Sequence, residues 1–246
     1  MKLLARDIDG TFVFSDEKGN KYVREEDIKA IKEFRAAGNL FGVCTGRGFA
    51  SHHEGYDVPI DFAITNSGAC IFYPDGKEID CQTISKTIVK DIMQDVKDAW
   101  YIIFQDRSGM YVMGKELPNG HTITSLDEIK GDRIDGFGTI FNDEATASKY
   151  CQLIKDKYGD KVAVYQNINS FDTQALGCSK GIGLQKVAKH FNADAYYCIG
   201  DSFNDMAMLE VTKNSYTFHH SPEVVRKIAG HCVNSLAECI EDIMKD

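Results

Sequence analysis

Two rhythms of apolar and polar positions alternate along the chain. Short apolar runs read as strands, and segments with apolar residues three or four apart read as helices. The first stretch predicts a strand over 2–8, a hairpin over 11–23 around Lys18-Gly19-Asn20, and a helix over 24–37. That helix carries Ile28, Ile31 and Phe34 on one face and stops at Gly38. Strands follow at 40–44, 62–65 and 69–73, the last running into a Pro74-Asp75-Gly76 turn. A helix over 85–99 lines up Ile88, Ile92 and Val96. Extended pieces are expected at 100–105, 110–113 and 133–141, then a helix over 143–158 and strands at 161–166 and 171–176. After Gly177 helices and strands alternate again: 181–191, 196–200, 203–210, 215–219, 222–229, 231–233 and 236–244.

Strand–helix alternation at both ends, with a sheet-and-two-helix block between, predicts an α/β protein. The expected core is a Rossmann-like, doubly wound parallel sheet built discontinuously from residues 1–81 and 178–246. An α+β cap domain, residues 82–177, is inserted into it. The length of 246 residues is ample for two such cores.

Composition narrows the class. Hydrophobic residues at 43% and charged residues at 26% are those of a globular protein, and no apolar window approaches a membrane span. A net charge of −9 without basic runs argues against nucleic acid or an anionic membrane as partner, and monomer is the default. The opening MKLLARDIDG is too short an apolar stretch for a signal peptide. The eight cysteines include no CxxC. Cys44, Cys70 and Cys198 sit in apolar runs, so free thiols in a reducing cytoplasm are expected rather than disulfides.

The chemistry concentrates at strand ends, where parallel α/β sheets bind ligands. One strand ends in Asp7-Ile8-Asp9-Gly10-Thr11, a second in Thr45-Gly46-Arg47, and a third in Gly200-Asp201-Ser202-Phe203-Asn204-Asp205. Lys180-Gly181 opens a helix at the return from the insert. Strand periodicity would project Asp7 and Asp9 to one side, and a divalent cation would relieve their repulsion. With Asp201 as a third carboxylate and no His or Cys nearby in sequence, the hard oxygen set points to Mg2+. A cation, the Thr45 hydroxyl, the Lys180 ammonium and loop N–H groups around Gly10 suit a phosphate. Asp7 could then attack phosphorus, with Asp9 protonating the leaving oxygen and later activating water. Each cluster alone could be an ordinary turn; their joint order is hard to explain that way.

These motifs resemble the haloacid dehalogenase superfamily, and within it the Cof-type phosphatases with a type II (IIB-like) cap. DIDGT at 7–11, VCTGR at 43–47, SKGIGL at 179–184 and GDSFNDMAM at 200–208 match its four motifs in order, with NSGA at 66–69 as a weaker fifth. The resemblance covers essentially the whole chain, the cap by position and element order. It implies a nucleophile at Asp7 and an acid/base at Asp9. It implies phosphate contacts from Gly10, Thr45, Gly46, Lys180 and Asn204, and Mg2+ held by Asp7, the Asp9 carbonyl and Asp201. Asp205 would act behind the metal or on Lys180. The long interval between Thr45 and Lys180 is the type II cap location. The implied reaction is hydrolysis of a small phosphorylated metabolite through an aspartyl-phosphate.

Two positions depart from the pattern. Arg6 stands where a small or apolar residue is usual and should point away from Asp7, packed and paired. His219-His220-Ser221 replaces a Gly-Asn-Ala stretch. Solvent-facing roles are expected for His52, His53, His219 and His220, and packing for Trp100, Tyr101 and Phe104. Ser202 and Asp205 have capping-box spacing. Cap segments 106–109, 114–124 and 133–138 are candidates for substrate contact. A phosphomutase or phosphotransferase on the same scaffold, a receiver-like phospho-acceptor switch and a catalytically dead binder are the competing readings. The receivers are about half this length and lack an insert, and nothing in the motifs favours a dead binder.

Overall fold

The computed structural model describes residues 1–51 and 58–245, so the expectation for His52 and His53 lies outside it. Its larger sheet has eight strands, in the order His231–Val233, Ser215–Phe218, Ala195–Ile199, Lys2–Arg6, Leu40–Cys44, Phe62–Thr65, Cys70–Phe72 and Glu78–Cys81. Pairing is parallel from His231–Val233 through Phe62–Thr65, and antiparallel for the last two strands. The amino-terminal strand lies between neighbours on both sides, which explains its unbroken burial from Leu3 to Arg6.

Helices cover both faces, so the core is doubly wound. On one face Ile31 and Phe34 of helix Glu25–Ala36 pack with Cys239, Ile240 and Ile243 of helix Leu236–Lys245 against Leu4, Phe41 and Val43. On the other, Leu184 and Val187 of helix Lys180–His190 meet Leu3, Ala5, Cys44 and Ile64, with Met208 and Val225 alongside.

A second sheet of six strands runs His121–Thr122, Gly109–Met113, Tyr101–Asp106, Gly136–Ile140, Ser170–Ala175 and Val162–Asn167. Helices Lys86–Asp95 and Glu144–Tyr158 bury Val89, Ile92, Ala147 and Ile154 against Phe104, Phe137 and Phe171 in a core of its own. The result is an α/β Rossmann-like core carrying a cap.

Several elements differ from the expectation in instructive ways. The first strand ends at Arg6; the Asp7 N–H still bonds the Ile199 carbonyl, Asp9 forms an isolated bridge with Val13, and the chain turns through Gly10 at φ +86°. Helix 203–210 is a 3-10 turn, Phe203–Asp205, followed by a single helical turn, Met206–Leu209. Phe104 is fully buried in the cap, whereas Trp100 is half-exposed with the Lys115 ammonium over its ring. His219 and His220 are exposed.

The cysteine expectation needs correction. Cys70 and Cys81 face each other across antiparallel strands and are joined in a disulfide. Strand Glu78–Cys81 carried no apolar run to reveal it. Cys44, Cys151, Cys178, Cys198, Cys232 and Cys239 are free. The bonded pair removes part of the ground for reading every cysteine as a cytoplasmic thiol. No helix among the described residues is long and apolar enough to cross a membrane.

Arg6 is fully buried, on the opposite face from Ala5. Its Nη1 donates to the Asp7 carbonyl at 3.0 Å, and its guanidinium lies 4.0 Å from the Phe12 ring centre. It also acts electrostatically on buried Asp27.

Asp135 sits beside the disulfide, its carboxylate 3.8 Å from the Cys81 sulfur, with Oδ2 unpartnered among the described residues. Burial, helped by Asp106, pushes its pKa up to about 6. A folded-state value above the ordinary ~3.9 means stability falls as pH rises from about 4 to about 6 and stays lower above that, by about 2–3 kcal/mol. Asp135→Asn should therefore gain about 2 kcal/mol on the wild type between pH 4.5 and 7.5 in urea denaturation. A gap equal at both pH values would show that this carboxyl is not the cause.

Candidate active site

The motif residues meet at the carboxyl ends of the central parallel strands. Lys180, the first residue of its helix and 1% exposed, donates to Asp7 Oδ1 and to Asp205 Oδ1, each at 2.6 Å. The helix is started by Ser179, whose hydroxyl accepts from the Ile182 N–H. Asp205 Oδ2 takes the N–H groups of Asp201 and Ser202 at 3.0 and 3.1 Å, the carboxylate half of the anticipated capping box. Thr11 Oγ1 donates to Asp201 Oδ1 at 2.6 Å.

Asp7, Asp201 and Asp205 each offer an oxygen within 4.8 Å of the others. Burial is the main cause raising Asp7 to about 7 and Asp201 to about 6; neighbouring carboxylates add to both, and Lys180 opposes. Burial pulls Lys180 down, but Asp205 and Asp7 outweigh it and hold the ammonium well above its ordinary value. One ammonium among three carboxylates leaves an excess of buried negative charge. A hard divalent cation fits this all-oxygen donor set, which contains no His or Cys.

Asp9 is placed differently from Asp7. Its side chain is 58% exposed and is gripped by Arg47, Nε to Oδ2 at 2.9 Å and Nη2 to Oδ1 at 2.5 Å. This fork holds the carboxylate at the cavity mouth. Gly10 also has a different local task. Its N–H donates to the Val13 carbonyl at 3.0 Å, and a Cβ here would lie 2.5 Å from Asp201 Oδ2. The glycine thus closes the turn and lets Asp201 approach.

Thr45 is buried, its N–H bonded to the Ile64 carbonyl and its Oγ1 accepting from the Arg47 N–H. Beneath it runs the Asn66-Ser67-Gly68 turn. Asn66 and Ser67 adopt φ of 49° and 51°, uncommon for non-glycine residues. Their N–H groups bond the Arg47 and Thr45 carbonyls at 2.9 Å, which ties the turn to the Thr45 loop. Gly68, at φ +95°, passes so close to helix Lys180–His190 that a Cβ would overlap the Ser179 carbonyl.

Asp7, Asp9, Thr45 and Arg47 line a cavity of about 210 Å³ together with Gly46, Asn204, Ser202 and three cap residues, Gln105, Asn167 and Asp172. Asn204 Oδ1 accepts from the Ser202 hydroxyl at 2.7 Å. Cap and core touch where Ser67 Oγ donates to Asp172 Oδ2 at 3.0 Å and where Arg107 pairs with Glu78. Of the anticipated cap segments, 106–109 meets the core through Arg107. Neither it nor 114–124 lines the cavity, while Gly136 and Gly138 border a small adjoining void with Asn66 and Ser67. Thr11, Arg47, Ser67, Gln105, Asn167 and Asp172 were not singled out as site residues from sequence. Thr11, Arg47 and Ser67 fall inside the DIDGT, VCTGR and NSGA segments, whereas Gln105, Asn167 and Asp172 carry no sequence signal.

A model of the haloacid dehalogenase-like hydrolases matches residues 4–238, and the chain belongs to that family. It is 23% identical over 242 residues to the 5-amino-6-(5-phospho-D-ribitylamino)uracil phosphatase YcsE of Bacillus subtilis (strain 168), covering 97% of this chain and 92% of that protein. The fold superposes with a TM-score of 0.81 on a HAD/COF-like hydrolase from Plasmodium vivax, at 20% identity over 99% of this chain and 95% of that one. It superposes with a TM-score of 0.80 on the HAD subclass IIB sugar phosphatase BT4131, at 23% identity over 100% of this chain and 98% of that one. The chain is accordingly an enzyme, a hydrolase of this family, and its curated relative is a phosphatase.

Proposed function

We propose that this enzyme is a Mg2+-dependent phosphomonoesterase that hydrolyses a small phosphorylated metabolite through an aspartyl-phosphate on Asp7. The observation that carries this reading is the buried Asp7–Lys180–Asp205 arrangement beside Asp201, of which Asp7 lines a 210 Å³ cavity. Asp7 attacks phosphorus as the bond to the leaving oxygen breaks, and Asp9 supplies the proton that oxygen needs. Asp9 then takes a proton from water as that water attacks the phosphoryl group, releasing phosphate and restoring Asp7. Lys180 offsets charge on Asp7 and on the phosphoryl oxygens. Arg47 orients Asp9 through its bidentate pair.

Asp7, Asp201 and the Asp9 carbonyl would hold Mg2+, with Asp205 buttressing the cluster through Lys180 and the Asp201 N–H. When bound, the ion supplies Lewis-acid neutralisation of phosphate charge. We take residues 82–177 as a cap unit that shields the reaction from water, with residues 1–81 and 178–246 as the catalytic unit. A cavity this size suits a small phosphate ester, and YcsE's named substrate is a phosphate ester of a modest metabolite.

Phosphate release should be detectable on a panel of sugar and polyol phosphates with Mg2+ present. EDTA should abolish it and added Mg2+ should restore it; turnover persisting in chelator would remove the metal from the mechanism.

A further inference from the structure

A second cluster of ligand-type side chains lies at the edge of the large sheet. Cys70 and Cys81 stand opposite one another on its last two strands, the third and fourth out from Lys2–Arg6. Directly opposed residues of an antiparallel pair share a face, so their sulfurs meet there. Asp135 comes to them from the other sheet. Its N–H donates to the Gln105 carbonyl at 2.9 Å, which anchors it beside strand Tyr101–Asp106. A carboxylate oxygen of Asp135 and the two sulfurs all lie within 4.8 Å of one another. Cys81 ends the edge strand, so the cluster ties the two sheets where the chain first crosses between them.

Asp135 is 7% exposed, and its Oδ2 has no partner among the described residues. Its Oδ1 faces the Cys81 sulfur at 3.8 Å, and a disulfide sulfur has no proton to donate. The charges that act on it are Asp106, Glu78 and Arg107, and the Arg107 guanidinium is already paired with Glu78. A buried carboxylate in such anionic surroundings is costly and calls for a ligand of its own. The spacing fits a cation held partly by sulfur. With Zn–S of about 2.3 Å and Zn–O of about 2.0–2.2 Å, a tetrahedral ion sets a sulfur and a carboxylate oxygen about 3.5–3.7 Å apart. The 3.8 Å between Cys81 and Asp135 is close to that. Two thiolates with one carboxylate suit Zn2+ rather than Mg2+.

We propose that Cys70, Cys81 and Asp135 form a redox-gated zinc site, closed as a disulfide when oxidised and open to Zn2+ when reduced. Two molecules of a thiol reductant such as glutathione deliver two electrons and two protons to the S–S bond and leave joined as their own disulfide. Zn2+ then displaces both thiol protons to solvent and takes the Asp135 carboxylate as third ligand, with water in the fourth position. Partial exposure of Cys81 gives reductant and ion a way in. The two states differ in what they fasten. The disulfide links two strands of one sheet, whereas the metal also holds Asp135 and with it the second sheet. The site is separate from the acidic cluster of Asp7, Asp201 and Asp205, which contains no sulfur.

The test titrates the full chain with Co2+ and then Zn2+, after reduction with a phosphine and desalting without oxygen, in excess Mg2+. Cobalt bound to thiolate gives an intense sulfur-to-metal charge-transfer band, which an all-oxygen site cannot produce. About one equivalent of Co2+ should develop that band and about one equivalent of Zn2+ should remove it. Protein reoxidised with diamide should show neither change. Cys70→Ser and Cys81→Ser should each lower Zn2+ affinity at least about 100-fold, and Asp135→Asn about 10-fold or more. Circular dichroism checks folding, and the two serine variants report independently, so a fold defect in one leaves the other informative. Absence of the band in protein whose Cys70 and Cys81 are both shown reduced by alkylation and peptide mass spectrometry overturns the site. So does a band that is unmoved in a folded serine variant, or a Zn2+ affinity that is unmoved in Asp135→Asn.

Discussion

Asp7→Asn should abolish phosphate release, lowering kcat by at least about 10⁴-fold, while the protein stays folded. The amide keeps the size and the Lys180 contact of the carboxylate but cannot serve as the nucleophile. Stability should move the other way. Without metal, burial and the neighbouring carboxylates lift Asp7 to about 7, well above the ordinary ~3.9. A carboxyl with a raised folded-state pKa costs stability as pH climbs through that window. The metal-free variant should therefore be at least as resistant to urea as the wild type above pH 7, and lose any advantage near pH 4. A variant that retained a tenth of wild-type kcat would show that Asp7 does not attack phosphorus.

Lys180→Met should be the most damaging single change to the metal-free fold. It leaves Asp7 and Asp205, 5% and 0% exposed, without the ammonium that each binds at 2.6 Å. Removing one partner of a buried ion pair typically costs about 3–5 kcal/mol. The loss should be read by urea denaturation in EDTA at pH 7.5. Millimolar Mg2+ should recover part of it, because a cation that binds only the folded site stabilises by mass action. A loss below about 1 kcal/mol would mean that the charge is compensated elsewhere. Activity should fall as well, since the same ammonium faces the phosphoryl group.

The contrast between these residues and the cap residues that line the cavity explains what was legible in the sequence. Asp7, Thr45, Lys180 and Asp201 each follow a local signal, an apolar strand ending or a helix opening. A parallel sheet brings such ends together whatever the loops do. Those cap residues have no local signal. Gln105, Asn167 and Asp172 are ordinary strand residues that converge only through the pairing of Gly136–Ile140 with its two neighbours and of Ser170–Ala175 with Val162–Asn167. Cys70–Cys81 was hidden for a related reason. The edge strand Glu78–Cys81, mostly polar and partly exposed, lacks the apolar run that marks a strand, so nothing placed Cys81 opposite Cys70. Strand periodicity places Asp7 and Asp9 toward one side, and both line the cavity, but the strand ends at Arg6 and periodicity does not give the Asp9 side chain its partner. The turn through Gly10 hands that carboxylate to Arg47. Arg6 is the converse case. Alternation alone predicted its direction, and its packing on Phe12 and its bond to the Asp7 carbonyl emerge from the fold.

The proposed mechanism turns on covalent chemistry at one carboxylate. Acid-quenching the enzyme within its first turnovers on a turned-over phosphate ester, followed by peptide mass spectrometry, tests it directly. One hydroxylamine-labile phosphoryl group should appear on the peptide that carries Asp7 and be absent from Asp7→Asn. Rapid turnover with no trapped phosphopeptide under any quench, or a label on a peptide without Asp7, would contradict it.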